Sequence, residues 1–549
     1  MITGQMLKNA LISGANNLQN HRTQVDALNV FPVPDGDTGT NMSQTCGSAV
    51  RELQVCGDGT PVCEIAKKAA NALLRGARGN SGVILSLIFR GVSKGFKGLE
   101  TADGRQLAAA FQMGQESAYK AVMKPTEGTI LTVVRKAAQA AVQADEADEK
   151  KVIAVLCDAA KAALAETPEL LPVLKEAGVV DAGGQGFLYV LEGMRAVIAD
   201  GVMIQSEADG EKSAEKESRA AKYPYRCSLR VQTGQSAAGS VEKLRAYLQN
   251  TGDGGQAEDT ADGISVRVDT AEPDGVLRAA LACGTLHDVK IEYRADSAEA
   301  AEMQTPPPAP EQAAPDAAES PAAPARVEPE KEYGFVAVAA GEGLEQLFYE
   351  LGADRVVSGG QTMNPSTDDI LNAIQATPAR HVFVLPNNKN IIMAAEQTVH
   401  LADRGVSVLA TRTVPQGITA MLSFDEDLSP EENHLQMMKA AGGVHTAQVT
   451  FAARDSEMRG ERIQKGQMLG MEDGKITLVS DDLLDTAYRV TRRLVKKYSG
   501  SLVTVFYGAD ADEAQANALV ERLQARFPNV EINYVSGGQP VYYFLVSVE

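Results

Sequence analysis

Tryptophan is missing from the chain, and aromatic residues make up only 5% of its 549 residues. The interior must therefore rest on aliphatic side chains with abundant alanine and glycine, a composition suited to closely packed helices and glycine turns. Positive charge is in deficit, with 52 Lys and Arg against 72 Asp and Glu, a formal net charge of -20. Such a surface repels nucleic acid and anionic lipid headgroups, so neither is expected as a partner. It also repels free anions at long range, so any phosphate site must rely on backbone N–H groups, a metal or a few local cations. The cysteines, Cys46, Cys56, Cys63, Cys157, Cys227 and Cys283, form no CxxC pair, which fits reduced thiols and a cytoplasmic location. No stretch approaches the roughly 18 continuous apolar residues of a membrane span. The first residues, MITGQMLKNALISGANNL, lack a basic start followed by an apolar run, so no signal peptide is expected. A lipid substrate would have to be delivered in solution.

What is present points to several domains, because a chain of this length exceeds one core. We expect a helical domain over 1–203, a linker over 204–221, a small α+β domain over 222–297, a Pro/Ala-rich linker over 298–332 and an α/β domain over 333–549. Leu7, Leu11, Gly14 and Leu18 share one helical face. So do Ile65, Ala69, Ala72 and Leu73, and again Leu107, Phe111, Gly114, Ala118 and Val122; these stripes read as core packing. In the middle segment SLRVQ and ISVRVD alternate as strands and VEKLRAYLQ reads as a helix. Beyond the linker, FVAVAA, HVFVLP, VSVLAT, LVTVFYG and VEINYV are candidate strands with helices such as DDILNAIQ and AEQTVHLADR between them. That alternation predicts a largely parallel sheet.

The loops carry the chemistry. NVFPVPDGDTGTNM, Asn29 to Met42, is stiffened by Pro32 and Pro34 and turned by Gly36 and Gly39. Around such a turn Asp35 and Asp37 can converge, and converging carboxylates bind a hard divalent cation. Thr38, Thr40 and Asn41 add hydroxyl and amide groups suited to phosphate oxygens. The competing reading is an Asp-Gly turn capping the next helix through Thr40 or Asn41. RGARGNSG, Arg75 to Gly82, places glycines, Asn80 and Ser81 before an apolar helix, an arrangement that offers N–H donors to an anion; its plainer reading is a helix cap. KPTEGTILT, Lys124 to Thr132, and VVDAGGQGF, Val179 to Phe187, are weaker signals, with Lys124 read as a solvated side chain.

In this order the four loops resemble the nucleotide-binding domain of bacterial dihydroxyacetone kinases and, more closely, the ATP-binding subunit of bacterial fatty acid kinase. SGGQTMNPSTDDIL (Ser358 to Leu371), LPNNKNIIMAAEQ (Leu385 to Gln397) and TVPQGITAML (Thr413 to Leu422) are similar to that family's last domain, so the resemblance covers nearly the whole chain. It implies an all-α antiparallel helical barrel, a small α+β middle domain and a DegV-like α/β C-terminal domain. ATP and Mg2+ would sit at one end of the barrel. Asp35 and Asp37 would be catalytic metal ligands. Dihydroxyacetone kinases use a further aspartate shortly before this pair, where this chain offers Asn29 and Val30. Either Asn29 substitutes through its carbonyl oxygen or fewer protein ligands serve the metal. Thr38, Thr40, Asn41, Met42, Gly79, Asn80, Ser81 and Gly82 would line the phosphates, with Gly128, Thr129, Asp181 and Gly183 nearer the nucleoside.

The implied reaction is transfer of phosphate to the carboxylate of a fatty acid held by a DegV-like carrier protein, giving an acyl phosphate. An ionised carboxylate needs no general base; this fits a first domain whose only histidine, His21, lies in a polar stretch and reads as exposed. Relatives carry a Cys and a His-x-His strand in the middle unit. Here Cys227 is present but the corresponding strand reads Arg267-Val268-Asp269, a poor zinc set, so Cys227 is read as a buried structural thiol and no zinc is expected. Ser358, Gly359 and Gly360 suggest an anion nest, Asn364 and Pro365 begin the next helix, and Asn387, Asn388 and Lys389 form a second polar loop. A homodimer is expected by analogy. The alternatives are a dihydroxyacetone kinase-like enzyme for a small hydroxy compound and a nucleotide-binding regulator.

Overall fold

The computed structural model describes residues 1–29, 36–122, 124–207, 225–233, 244, 247–248, 252–260, 263–270, 273–281, 283–293, 327–360, 364–453, 455–458 and 461–549. The chain forms two compact units, one of Met1–Ser206 with Ala318–Glu549 and one of Glu207–Ala317. Most of the Pro/Ala-rich stretch and of the first linker lies outside the described residues, as does most of the expected helix VEKLRAYLQ.

The N-terminal half of the larger unit is all helix: α1 Gly4–Asn20, α2 Arg22–Leu28, α3 Thr38–Gln54, α4 Val62–Arg75, α5 Gly79–Gly95, α6 Gly104–Ala121, α7 Ile130–Ala144, α8 Glu149–Ala165, the short α9 Thr167–Leu170 and α10 Pro172–Ala177, and α11 Ala182–Ile198. The start signals are local. Asp103 and Gln106 form a capping box on α6, and Asp148 and Asp181 cap α8 and α11, each satisfying N–H groups that helix geometry leaves unpaired. The apolar stripes face one core, with Leu7, Leu18, Ile65, Leu107 and Phe111 almost wholly buried and Leu11, Ala72 and Val122 partly so. Each long helix packs on the next: α1 on α3, α3 on α4, then α5, α6, α7 and α8 in turn, α8 on α11, and α11 back on α1.

Small residues set the tightest of these contacts. Gly14 of α1 and Gly193 of α11 meet so closely that a Cβ on Gly193 would lie 2.5 Å from the Ser13 carbonyl oxygen and 2.6 Å from the Gly14 Cα. Gly91 and Gly114 make a similar crossing of α5 on α6. Alanine-rich helices gain little from each side chain, so they gain instead from backbone approach and dense packing.

The smaller unit is a four-stranded antiparallel sheet in the order β2-β3-β1-β4, from β1 Tyr225–Thr233, β2 Gly252–Thr260, β3 Gly263–Thr270 and β4 Gly284–Tyr293, with a helix over Pro273–Leu281. Alternate residues Cys227, Leu229 and Val231 of β1 and Ile264, Val266 and Val268 of β3 fill its core, as period-2 alternation dictates. Cys227 is fully buried and pairs across the sheet with Val268.

The C-terminal half of the larger unit holds two sheets rather than one. The first is wholly parallel, in the order β6-β5-β7-β8, from β5 Lys331–Ala339, β6 Arg355–Ser358, β7 Ala379–Leu385 and β8 Gly405–Val408. The second has the order β13-β12-β9-β16-β14-β15, with β9 His445–Phe451, β12 Met468–Glu472, β13 Lys475–Ser480, β14 Leu502–Tyr507, β15 Glu531–Ser536 and β16 Phe544–Val548; β10 Ser456–Met458 and β11 Glu461–Ile463 form a separate ribbon. In this second sheet only β14 and β15 pair in parallel. The expectation of a largely parallel sheet therefore fails for it. For β12 and β13 the cause is local: Asp473 and Gly474 both have positive φ, 47° and 78°, between the paired Glu472 and Lys475, the geometry of a two-residue hairpin turn that matches strand twist.

The Gly14–Gly193 crossing yields a test. Gly193→Ala should lower the stability of the helical half by about 1–3 kcal/mol, read as an earlier loss of helical circular dichroism in urea. An unchanged midpoint would mean that α1 and α11 can part without penalty.

Candidate functional site

The start of α3 is built by two aspartates with different work. Asp37 occupies the N-cap position, yet its side chain makes no capping bond. Asp26, on α2, takes that role: its carboxylate accepts from the Thr40 N–H at 3.0 Å and from Thr40 Oγ1 at 2.8 Å. A negative group there suits the positive end of the helix. α2 can lie this close only because residue 39 is glycine, where a Cβ would fall 2.2 Å from the Arg22 carbonyl oxygen. The capping role considered for Thr40 or Asn41 is thus filled by Asp26 and by the backbone, with the Asn41 N–H donating to the Asp37 carbonyl at 2.7 Å.

Released from capping, the Asp37 carboxylate turns to the second loop. Asn41, 4% exposed, stands between them. Its amide nitrogen would be 2.5 Å from a Cβ on Gly79, which has φ +57°, so both conformation and space require glycine at 79. Its carbonyl accepts from Thr45 Oγ1, which in turn accepts from the Arg78 N–H. This relay fixes the N-terminus of α5 beside that of α3. No side chain caps α5, and its first turn carries no acid, so the leading N–H groups face outward as donors. Asn80 Oδ1 is buried with no hydrogen-bond partner. A carboxylate, side-chain amide oxygens and an orphaned buried oxygen form a donor set that fits a hard divalent cation.

One further side chain enters from the C-terminal half. Asn364 Nδ2 donates to Asp37 Oδ2 at 2.5 Å and to Asn41 Oδ1 at 3.3 Å. Arg78 Nη1 holds the Asn364 carbonyl at 2.7 Å, and Arg78 Nη2 lies 3.3 Å from Asp369.

The third and fourth loops meet each other. Thr129 caps α7 and Asp181 caps α11, accepting from the Gly184 N–H at 2.7 Å, while a Cβ on Gly183 would be 3.3 Å from that of Ile130. Gly128 has φ +83° and donates its N–H to Thr132 Oγ1, which donates to Glu127. Burial pushes the Asp181 carboxyl up to about 6, against the lowering effect of the Gly184 and Ile130 N–H groups.

Several expected positions differ in role. Met42 is fully buried, with its sulfur 2.8 Å from where a Cβ on Gly186 would lie, so it is a core residue that joins α3 to α11 rather than a lining one. Thr40 spends both its N–H and its hydroxyl on Asp26. Gly82 is packed under Thr45 Oγ1. Thr38 opens α3, Ser81 lies in the first turn of α5, and Asn29 ends α2 with its N–H on the Asp26 carbonyl. Asp35 lies outside the described residues. His21 is half-buried rather than exposed: its ring stacks on Tyr189 at 4.2 Å and Nδ1 contacts the Asn17 carbonyl. In the C-terminal half, the helix after Ser358 begins at Thr367 with Ser366 as cap, two residues later than expected. The Gly359 N–H is spent on the Ala339 carbonyl, and Gly359, Gly360, Asn387 and Asn388 line one cavity of ≈ 60 Å³ with Arg412 and Thr413. Asp26 and Asn364 have no local signal in the sequence. Asp26 lies 14 residues from its partner on a different helix, and Asn364 lies 327 residues from Asp37.

Two measurements probe this construction. Asp26→Ala should cost about 1 kcal/mol of stability in urea through the lost cap; no change would place the hold on α3 elsewhere. For Asp181, the folded carboxyl titrates near 6 against 3.8 for an unperturbed one. Its stabilising contribution is complete below pH 3.8 and is lost as pH rises through about 6. Stability at pH 5 should therefore exceed that at pH 7 by roughly 1 kcal/mol more in the native chain than in Asp181→Asn; equal pH profiles would show the carboxyl to be solvated.

Comparison with known proteins finds matches in both halves. The FakA-like C-terminal family of fatty acid kinases matches residues 334–549, and the DAK2 domain matches residues 32–196. Protein YloV of Bacillus subtilis is 38% identical over 563 residues, spanning 100% of this chain and 99% of its own length. An uncharacterized protein of Staphylococcus saprophyticus is 36% identical over the same shares. Among solved structures, the fatty acid kinase B3 protein of Streptococcus pneumoniae loaded with linoleic acid is 12% identical, covers 40% of this chain and 99% of its own, and has a TM-score of 0.29. The chain belongs to the FakA-like family of fatty acid kinases, with a DAK2 domain at its N-terminal end.

Proposed function

We propose that this chain is the ATP-binding kinase component that phosphorylates the carboxylate of a fatty acid presented by a separate carrier protein, with an acyl phosphate as product. The observation that carries the reading is the convergence of Asp37 and Asn41 on the N-terminus of α5 at Gly79 and Asn80, with the Asn80 amide oxygen buried and unpartnered. A helix N-terminus with uncapped N–H groups beside an acidic oxygen set suits a metal–polyphosphate ligand. We read the closed neighbour order of the helices as a barrel whose end carries this site.

In this reading Asp37 holds Mg2+ with Asp35, and Asn29 completes the set. The α5 backbone at Gly79, Asn80 and Ser81 cradles phosphate oxygens together with Thr38. The paired loops at Gly128–Thr129 and Asp181–Gly183 flank the nucleoside. Bound Mg2+ would offset repulsion between the ATP phosphates and the substrate carboxylate. The protein groups orient the two anions in line and exclude water between them. The carboxylate arrives ionised, so no residue need remove a proton, and His21, stacked on Tyr189, has no such task. In this reading the carrier brings its lipid to the site; no described helix is long and apolar enough to cross a membrane.

The decisive assay follows ATP consumption by the purified chain with Mg2+ and a fatty-acid-loaded carrier, or with dihydroxyacetone. Turnover is expected with the loaded carrier alone. Asp37→Ala should reduce it by roughly 100-fold or more with helical circular dichroism unchanged. Phosphorylation of dihydroxyacetone, or full activity of the variant, would overturn the assignment.

A further inference from the structure

Asn364 belongs to the C-terminal half, two residues before the cap of the helix Thr367–Gln375, yet it is 3% exposed because it is inserted into the N-terminal half. Resting on the metal–nucleotide reading above, we infer that Asn364 is a built-in competitor for the metal site: the docked C-terminal half occupies the position that a divalent cation takes on Asp37, and loading of the site releases it.

The geometry of the amide decides the direction. Its nitrogen, not its oxygen, faces the site, bridging Asp37 Oδ2 at 2.5 Å and Asn41 Oδ1 at 3.3 Å. Both amide hydrogens therefore point at acceptor oxygens, so the NH2 group stands where a cation would be shared between them. The same nitrogen would be 3.6 Å from a Cβ on Gly79, which places it before the α5 N-terminus as well. A magnesium ion needs carboxylate oxygens at about 2.0–2.1 Å with near-octahedral freedom, and a hydrogen-bond donor on the same oxygen obstructs that approach. The Asn364 side-chain oxygen, Oδ1, is buried without a partner, so the docked amide is only half satisfied and its release recovers that loss in water.

The contact is also anchored. Arg78 grips the Asn364 carbonyl and Asp369, residues 78 and 366 form an antiparallel bridge, and the Thr367 N–H donates to the Ala77 carbonyl at 3.1 Å. Ala77, Val83 and Leu87 share a buried cluster with Val336, Ile370 and Ile374 across the two halves. Docking thus has its own apolar and polar stabilisation, independent of any ligand. Two events that exclude each other at one oxygen are linked reciprocally: metal–nucleotide loading weakens docking by the factor by which docking weakens loading.

The test uses the full chain and Mg2+ with AMP-PNP. Asn364→Ala should bind Mg2+–AMP-PNP about tenfold more tightly than the native chain, the factor expected from removing one hydrogen bond to a charged acceptor. In the native chain, which needs no substitution, saturating Mg2+–AMP-PNP should speed amide hydrogen exchange over residues 366–370. Equal or weaker binding by Asn364→Ala, or exchange that slows or stays the same on loading, overturns the inference and leaves the kinase reading standing; weaker binding in particular would make Asn364 part of the ligand shell. Absence of Mg2+–AMP-PNP binding by both proteins overturns both.

Discussion

The arrangement around the N-terminus of α3 depends on one division of labour between carboxylates. A helix start needs an acceptor for its first N–H groups, and the residue in the cap position, Asp37, is of the type best suited to supply it. It does not, because Asp26 reaches over from α2 and bonds Thr40 through both of its oxygens. An acid that closed its own helix would be locked inward by its own backbone. Asp37 is instead turned toward the α5 N-terminus and toward Asn364. The tight α2–α3 contact at Gly39 is the structural condition for that exchange, and it links the sequence of a short helix to the chemistry of the loop that follows.

The sequence made some of this legible and concealed the rest for definite reasons. The helical stripes and the strands over FVAVAA, HVFVLP, LVTVFYG and VEINYV correspond to elements in the structure, because burial on one face imposes a period that a single segment carries by itself. Two of the four middle strands, β1 over SLRVQ and β3 over ISVRVD, were legible on the same ground, while β2 and β4 were not read. The hairpin of β12 and β13 has an equally local signature in Asp473-Gly474, but its strands, MLGME and KITLVS, are hidden by the uniform α/β pattern that surrounds them. Met42 is obscured for a different reason. Its neighbours in the chain are polar residues, and only the packing of α11 reveals that its side chain lies under Gly186. Residue type marks chemistry well at Asp37 and Asn80. It says little about which face of a helical turn a residue occupies until the neighbouring helix is known.

Contacts between distant segments were beyond sequence reasoning altogether. Asp26 to Thr40, Ile130 to Asp181 and Asn364 to Asp37 each join different elements, and their partners are chosen by the fold. The glycines are a partial exception. Gly79 and Gly39 could be marked as places of close approach or unusual backbone, although what approaches them could not be named. The motif around Ser358 to Leu371 shows the limit clearly. Asn364 and Pro365 read as the opening of a helix that instead starts at Thr367, while Asn364, which reaches the distant site, looks no different from a turn residue.

Electrostatics then explain why so acidic a chain would concentrate its anion-binding capacity in backbone rather than in side chains. Two arginines next to α5 in the chain have partners of their own: Arg78 the Asn364 backbone carbonyl and Asp369, and Arg75, more loosely, Asp368. Those two aspartates sit in the first turn of their own helix, where negative charge is favoured regardless of the arginines. Among the described residues the site offers the N–H groups of the α5 N-terminus and the oxygens of Asp37, Asn41 and Asn80. N–H dipoles attract an anion only over short range, and the oxygens repel it. In the proposed reading a cation accompanies the anion, so that the Asp37 carboxylate and the α5 N-terminus serve one ligand.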